Sequence, residues 1–133
     1  MVYVFVALGS FGGATLRFVI KDCKFFADYG TVPFDTLLIN ITGAFLIAFL
    51  STLAWEEWHF NNDIRTGLTT GLLGAFTTFS TLCKEAVLLL NSGAYLQAAS
   101  YIIGSLLLGL LAAWIGYTLA INVGKTTKKK VCQ

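Results

Sequence analysis

Charge is the scarcest feature of this 133-residue sequence. Only 12% of its residues are charged, against roughly 25% in an ordinary soluble domain. Nine Lys and Arg against seven Asp and Glu give a net charge of +2, too little for a nucleic-acid-binding surface. With 56% hydrophobic residues, a water-soluble fold of this length would expose large apolar patches. The composition therefore excludes disordered, coiled-coil and nucleic-acid-binding proteins, and indicates a protein whose solvent is the lipid bilayer.

The residues of enzyme and metal sites are also few. The sequence has one histidine, His59, beside Trp58 in a predicted loop, and three widely spaced cysteines, Cys23, Cys83 and Cys132. An odd number of distant cysteines indicates neither a disulfide framework nor a metal knuckle. The glycines between residues 71 and 74 lack the Lys-Ser/Thr ending of a phosphate-binding loop. We therefore expect a protein that is not an enzyme, with reduced cysteines and a surface histidine.

Long uncharged runs are what the sequence has in abundance. A helix needs about 20 mostly apolar residues to cross roughly 30 Å of hydrocarbon. The runs predict an all-α membrane protein with one domain over residues 1–133 and four spans at about 2–20, 36–55, 66–90 and 96–122. A signal peptide in place of the first span is disfavoured, because no basic residue precedes that run.

Four spans place both termini on one side of the membrane. The basic residues predicted on that side are Arg65, Lys125, Lys128, Lys129 and Lys130. Those predicted on the other side are Arg17, Lys21 and Lys24. The positive-inside rule therefore favours cytoplasmic termini only weakly, which is compatible with insertion in both orientations.

Small residues recur at the spacing of helix contacts. Gly9 and Gly13 are four residues apart in the first span, as are Gly67 and Gly71 in the third. The fourth span carries a stripe of Ser105, Gly109, Ala112 and Gly116. Such stripes allow close helix packing in lipid, either within one subunit or between subunits. Because so small a chain encloses little space, we favour a homo-oligomer or a paired subunit.

Neutral polar residues inside the spans are the main functional signal. Asn40 needs hydrogen-bond partners in hydrocarbon, either as a link between helices or as part of a polar path. In the third span Thr77, Thr78, Ser80 and Thr81 surround Phe79. Weak helix formers there predict a break near residues 74–78, whose freed carbonyls could hold a cation. The alternative is a continuous helix whose hydroxyls bond to carbonyls four residues earlier.

Charges stand at the predicted span ends. Arg17 could raise the local anion concentration at a vestibule, and Lys84 and Glu85 could lie at the membrane interface. In the fourth span Tyr101 and Ser105 are four residues apart and share a helix face. No acidic residue is predicted at mid-membrane, which argues against a proton-coupled cation exporter and permits an anion path.

Three segments resemble the CrcB/Fluc fluoride channel family. They are Gly9–Phe18, with glycines followed by Arg17; Thr36–Phe45, with Asn40 and Gly43; and Gly71–Glu85, with the Gly-Ala-Phe-Thr-Thr-Phe-Ser-Thr sequence. Their order, their spacing and the four-span layout are similar over nearly the whole chain. The resemblance implies a fluoride-specific channel in the cell membrane for passive fluoride efflux, which relieves cytoplasmic fluoride toxicity.

The resemblance also implies an assembly and site residues. Members form antiparallel, dual-topology dimers with two fluoride pores and a structural Na⁺ on the dimer axis. The matching pore positions are Asn40, Phe79, Ser80, Thr81, Tyr101 and Ser105. Arg17 and Glu85 match vestibule positions. Gly74 and Thr77 match the break in the third helix, whose backbone carbonyls hold the Na⁺.

The sequence departs from the family pattern at three positions. Leu82 stands where a second pore phenylalanine is usual, Asp35 where glycine is common, and Ala48 where glycine is usual. The Leu82 change leaves open a homodimer or a heterodimer with a paired homologous subunit, and one or two working pores. Other function classes are a small multidrug-type exporter, which needs a glutamate absent from this first span, and a non-transporting membrane subunit or scaffold.

Overall fold

The described backbone consists of helices joined by short connections. A computed structural model describes the backbone of residues 1–22, 32–56 and 61–131, and the side chains of residues 1–22, 32–54 and 61–125. The helices are α1 (Val2–Asp22), α2 (Phe34–Glu56), α3 (Asn62–Thr66), a π-helical segment (Gly67–Leu73), α4 (Gly74–Phe76), α5 (Phe79–Asn91) and α6 (Tyr95–Val131). The predictions made for Cys23, Lys24, His59, Cys132 and lysines 128–130 lie outside the described side chains.

Four helical stretches are long and apolar enough to cross a membrane: Val2–Asp22, Phe34–Ala54, Asn62–Asn91 and Tyr95–Lys125. This confirms the predicted all-α class with four spans, and no strand occurs in the described ranges. The third span is composite, because α3, the π-helical segment, α4 and α5 follow one another along it. Among the described residues, the third span is the one candidate span in which the chain leaves regular α-helix.

Glycines bring α1 into backbone contact with the third span. A Cβ on Gly9 would overlap the carbonyl oxygen of Gly67, and one on Gly13 would overlap that of Leu72. A Cβ on Gly71 would crowd the carbonyl oxygen of Val6. The small residues of these two spans therefore pack within one chain, against the π-helical segment.

The small-residue stripe of the fourth span divides between two environments. Gly116 lies against the backbone of Phe45 and leaves no room for a Cβ, so this part of α6 packs on α2. A Cβ on Gly104 or Gly109 would meet nothing within 4 Å. The open positions face the outside of the chain, where lipid or another subunit can lie.

Candidate functional site

Helical structure in the third span is interrupted at two threonines. Thr77 has φ −74° and ψ 155°, and Thr78 has φ −148° and ψ 112°, both extended. Helix α4 ends at Phe76, and α5 begins at Phe79 with Thr78 as its N-cap. Extended backbone leaves polar groups without their helical partners, and in an apolar setting those groups need others.

Asn40 of α2 supplies two of these partners. Its Nδ2 donates to the carbonyl oxygen of Thr78 at 3.0 Å, and its Oδ1 accepts from the Thr78 N–H at 2.8 Å. Gly43, one turn along α2, lets Thr77 approach, because a Cβ there would overlap the Thr77 methyl group. One face of α2 therefore holds both extended residues, and Asn40 links two helices.

Backbone carbonyls just before the interruption lose their α-helical donors. In a continuous helix the Thr78 N–H would donate to Gly74 and the Thr81 N–H to Thr77. Instead, the Thr78 N–H goes to Asn40, and the Thr81 N–H goes to the Thr78 hydroxyl at 3.3 Å. Gly74 and Thr77, the residues predicted to hold Na⁺, are among those whose carbonyls lose their helical donors, and oxygen is the donor that hard cations prefer.

Hydroxyl groups cluster at the start of α5. Thr78, which is 6% exposed, donates its hydroxyl to that of Thr81 at 2.9 Å and lies 3.4 Å from that of Ser80. Thr77 bonds back to the Leu73 carbonyl at 3.1 Å, as the continuous-helix alternative anticipated for such hydroxyls. Three adjoining hydroxyls can rotate their hydrogens toward an anion or toward one another.

Phe79 and Ser80 point away from the chain's own core. The Phe79 side chain is 78% exposed, and Ser80 and Gly74 are also exposed. A large exposed aromatic side chain next to the buried Thr78 leaves the site open on one side. The wall that would close this site on the Phe79 side is therefore not formed by the described part of this chain.

A second polar cluster surrounds Glu85 within α5. Its Oε1 accepts from Lys21 Nζ of α1 at 3.0 Å and from the Thr36 hydroxyl of α2 at 2.9 Å. Its Oε2 accepts from the Tyr101 hydroxyl of α6 at 2.8 Å. The Glu85 side chain is 17% exposed, and Thr36 and Tyr101 are fully or almost fully buried. All four spans thus meet at one carboxylate, which is not paired with its neighbour Lys84.

The two clusters form a ladder along α2 and α5. Thr36 and Asn40 are one turn apart on α2, and Thr81 and Glu85 are one turn apart on α5, about 6 Å along each axis. Ser105 continues from the second cluster by donating to the Tyr101 carbonyl at 2.6 Å. We define the polar ladder by the side chains of its two rungs: Asn40, Thr78, Ser80 and Thr81 in one, and Thr36, Glu85, Tyr101 and Ser105 in the other.

Most residues of the two clusters were predicted from the sequence as site residues, but Thr36 and Lys21 were not. The i, i+4 spacing of Thr36 and Asn40 could have identified Thr36, since residues four apart share a helix face. Lys21 gave no such signal, because its partner lies 64 positions away. Arg17, predicted at a vestibule, is partly exposed and makes no hydrogen bond or ion pair within the described residues.

Leu82, the departure noted in the sequence, turns toward the protein core. It packs against the buried cluster of Ala86, Leu89, Ala98 and Tyr101. It is partly buried against this cluster, whereas Phe79 is exposed. The fold and this site define a small multi-pass membrane protein with a strip of polar, mostly neutral side chains between its helices.

Comparison with known proteins identifies the family. Residues 4–117 match the family described as CrcB-like protein, Camphor Resistance (CrcB). The chain therefore belongs to the CrcB family, which confirms the resemblance. With four candidate spans, it is a multi-pass protein of the cell membrane.

Relatives match over nearly their full lengths. The chain is 40% identical over 125 residues to the Fluoride-specific ion channel FluC 2 of Geobacillus kaustophilus, covering 90% of this chain and 93% of the relative. It is 41% identical over 111 residues to the Fluoride-specific ion channel FluC of Phocaeicola vulgatus, covering 84% and 91%. It is 36% identical over 124 residues to that of Helicobacter pylori, covering 92% and 95%.

Proposed function

We propose that this chain is a fluoride-specific ion channel and not an enzyme, and that it lets fluoride leave the cell passively. The relatives named above are fluoride-specific ion channels. The observation that carries the proposal is the polar ladder, whose first rung offers neutral donors between apolar helices. Neutral donors suit an anion, and the one titratable acid of the ladder, Glu85, stands in the other rung, where three donors hold it.

Fluoride is small and tightly hydrated, so its path must replace the lost water with hydrogen-bond donors. The amide nitrogen of Asn40 carries two hydrogens, and it donates one of them to the Thr78 carbonyl oxygen. The second N–H, with the hydroxyls of Ser80 and Thr81, can face the ion. The ring edge of Phe79 carries the positive part of the aromatic quadrupole and can form the opposite wall.

The second rung forms one end of the proposed path. Tyr101 and Ser105 line it, and Glu85 and Arg17 belong to its vestibule. Tyr101 already donates its hydroxyl to Glu85, so its contribution is to hold that carboxylate and to present its ring. A membrane potential that is negative inside drives an anion outward, at about 2.3 kcal/mol per charge per 100 mV.

The working unit is an antiparallel, dual-topology dimer. The exposed Phe79, Ser80 and Gly74 support this assembly, because a second subunit would supply the missing wall. The partner is another copy of this chain or a paired homologous subunit. At the dimer axis the carbonyls of Gly74 and Thr77 would hold a structural Na⁺, with the third helix broken at mid-membrane depth. The ion would neutralise the carbonyl dipoles that the break turns toward the axis.

The first test is fluoride efflux from liposomes that contain the purified protein. With potassium and valinomycin to carry the countercharge, we expect fluoride to leave rapidly while chloride stays inside. A fluoride electrode and a chloride electrode measure the two fluxes. Equal chloride flux would contradict a fluoride-specific path, and no flux from the chain, alone or with a paired homologue, would contradict channel function.

Phe79→Ile is expected to lower fluoride efflux by about tenfold, which corresponds to about 1.4 kcal/mol in the barrier. The isoleucine has no aromatic edge to face the ion. Because the Phe79 ring is 78% exposed, the thermal stability of the purified protein should stay close to that of the wild type.

Phe11→Ile is the matched control, because Phe11 is 75% exposed on α1 and lies outside the polar ladder. It should leave efflux unchanged. Equal losses in the two variants would show that Phe79 acts only as apolar surface.

Leu82 supports a second candidate function, that of one member of a heterodimer. It packs in the core where the family has a second pore phenylalanine. If this holds, the chain alone conducts weakly and gains flux when it is reconstituted with a paired homologue. Full flux from the chain alone would exclude it.

A further inference from the structure

An ion pair joins Glu85 of the second rung to Lys21 of α1, and the proposed path does not use it. The Nζ–Oε1 distance is 3.0 Å, and the side chains are 35% and 17% exposed. Thr36 and Tyr101 complete the coordination of the carboxylate, at 2.9 and 2.8 Å. Three donors from three different helices thus converge on one acidic group.

A free carboxylate is unfavourable at the end of an anion path. Like charges repel more strongly where protein and lipid lower the dielectric constant. Thr36 and Tyr101 can orient the carboxylate, but they are neutral hydroxyls and cannot cancel its charge. Of the three donors, only Lys21 brings a compensating positive charge.

We propose that Lys21 is a positioning and charge-compensating residue of the fluoride path. It acts through Glu85: it keeps the carboxylate against Thr36 and Tyr101, and it compensates the negative charge of that carboxylate where fluoride passes. This inference rests on the proposed channel function. It assigns a role to the last turn of α1, which ends at Asp22 directly after Lys21.

The test compares Lys21→Gln with Lys21→Arg and Lys84→Gln in liposomes. Gln can still donate a hydrogen bond to Glu85 but carries no charge, whereas Arg keeps the charge. Lys84 is the matched control, because it is exposed on α5, next to Glu85 in sequence, and outside the ion pair. Efflux is measured in about 0.1 M and about 1 M impermeant salt, where the Debye length is about 10 Å and about 3 Å.

We expect Lys21→Gln to lower efflux by about tenfold in low salt. High salt should restore part of it, because screening weakens the repulsion from the unpaired carboxylate, although less than for a fully exposed charge. Lys21→Arg and Lys84→Gln should conduct close to the wild-type rate in both salts. A purely structural role of Lys21 would give a loss that salt does not change.

Three results would overturn the inference. They are wild-type efflux from Lys21→Gln, a loss that is equal in both salts, and an equal loss from Lys84→Gln. If Lys21→Gln does not fold, Lys21→Met is tested in its place with the same expectation; failure of both to fold would make Lys21 a folding residue and also refute the inference. A wild-type protein that carries no fluoride would instead refute the proposed function.

Discussion

Asn40→Asp is expected to lower fluoride efflux by roughly a hundredfold, the equivalent of about 2.7 kcal/mol. An aspartate oxygen can still accept from the Thr78 N–H, but it cannot donate to the Thr78 carbonyl, which now accepts from Asn40 Nδ2 at 3.0 Å. A buried acceptor without its donor costs about 1–3 kcal/mol. The new negative charge would also stand where the anion must pass, which adds repulsion.

The measurement is the initial rate of efflux from liposomes at equal protein content. Asn62→Asp is the matched control, because Asn62 is exposed in the first turn of α3, where an acidic residue is favourable. It should conduct like the wild type. If Asn40→Asp conducts as well as Asn62→Asp, the fluoride path needs neither the hydrogen bonds of Asn40 to the Thr78 backbone nor an Asn40 N–H that faces the ion.

Gly13→Ala is expected to destabilise the folded protein by about 1–3 kcal/mol, the usual cost of overpacking. The added Cβ would overlap the carbonyl oxygen of Leu72 and crowd the Phe76 nitrogen, both of them backbone atoms that cannot rotate away. Helix α1 would have to move off the third span. The expected readouts are a lower thermal midpoint in detergent and a lower yield of monodisperse protein.

The neighbouring Gly12 supplies a control in which the expected change in stability has the opposite sign. A Cβ on Gly12 would meet only a Leu72 methyl group at 4.0 Å, which is ordinary contact. Since alanine is better than glycine in a helix by about 0.5–1 kcal/mol, Gly12→Ala should be neutral or slightly stabilising. Equal losses in the two variants would contradict the backbone contact at Gly13.

The polar residues of the site could be found from the sequence because they are rare in an apolar chain. Asn40 and the hydroxyls from Thr77 to Thr81 stand out in uncharged runs, and polar groups in hydrocarbon need a reason to be there. The sequence left two roles open for Asn40, a helix link or part of a path. The structure shows the link, with two hydrogen bonds to Thr78, and the path stays a prediction.

For the small-residue stripes, the sequence predicted close packing but did not identify the helix against which each stripe packs. The spacing of Gly9, Gly13 and Gly116 predicted close packing but not the partner. In the structure a Cβ on any of these glycines would overlap backbone atoms of the same chain, whereas a Cβ on Gly109 would meet nothing within 4 Å. Identical spacing therefore has different outcomes, because packing depends on which helix lies opposite.

The sequence alone determined the solvent, the number of spans and the family of this protein. These follow from the scarcity of charge, the length of the apolar runs and the order of three motifs, all of which are local along the chain. Only the tertiary structure decided which polar groups satisfy one another. Lys21 meets Glu85, and Asn40 meets Thr78, across 64 and 38 positions of sequence. Such pairs depend on how the helices pack, which no local pattern of the sequence encodes. The tertiary structure therefore decided which of the scattered polar residues lie together.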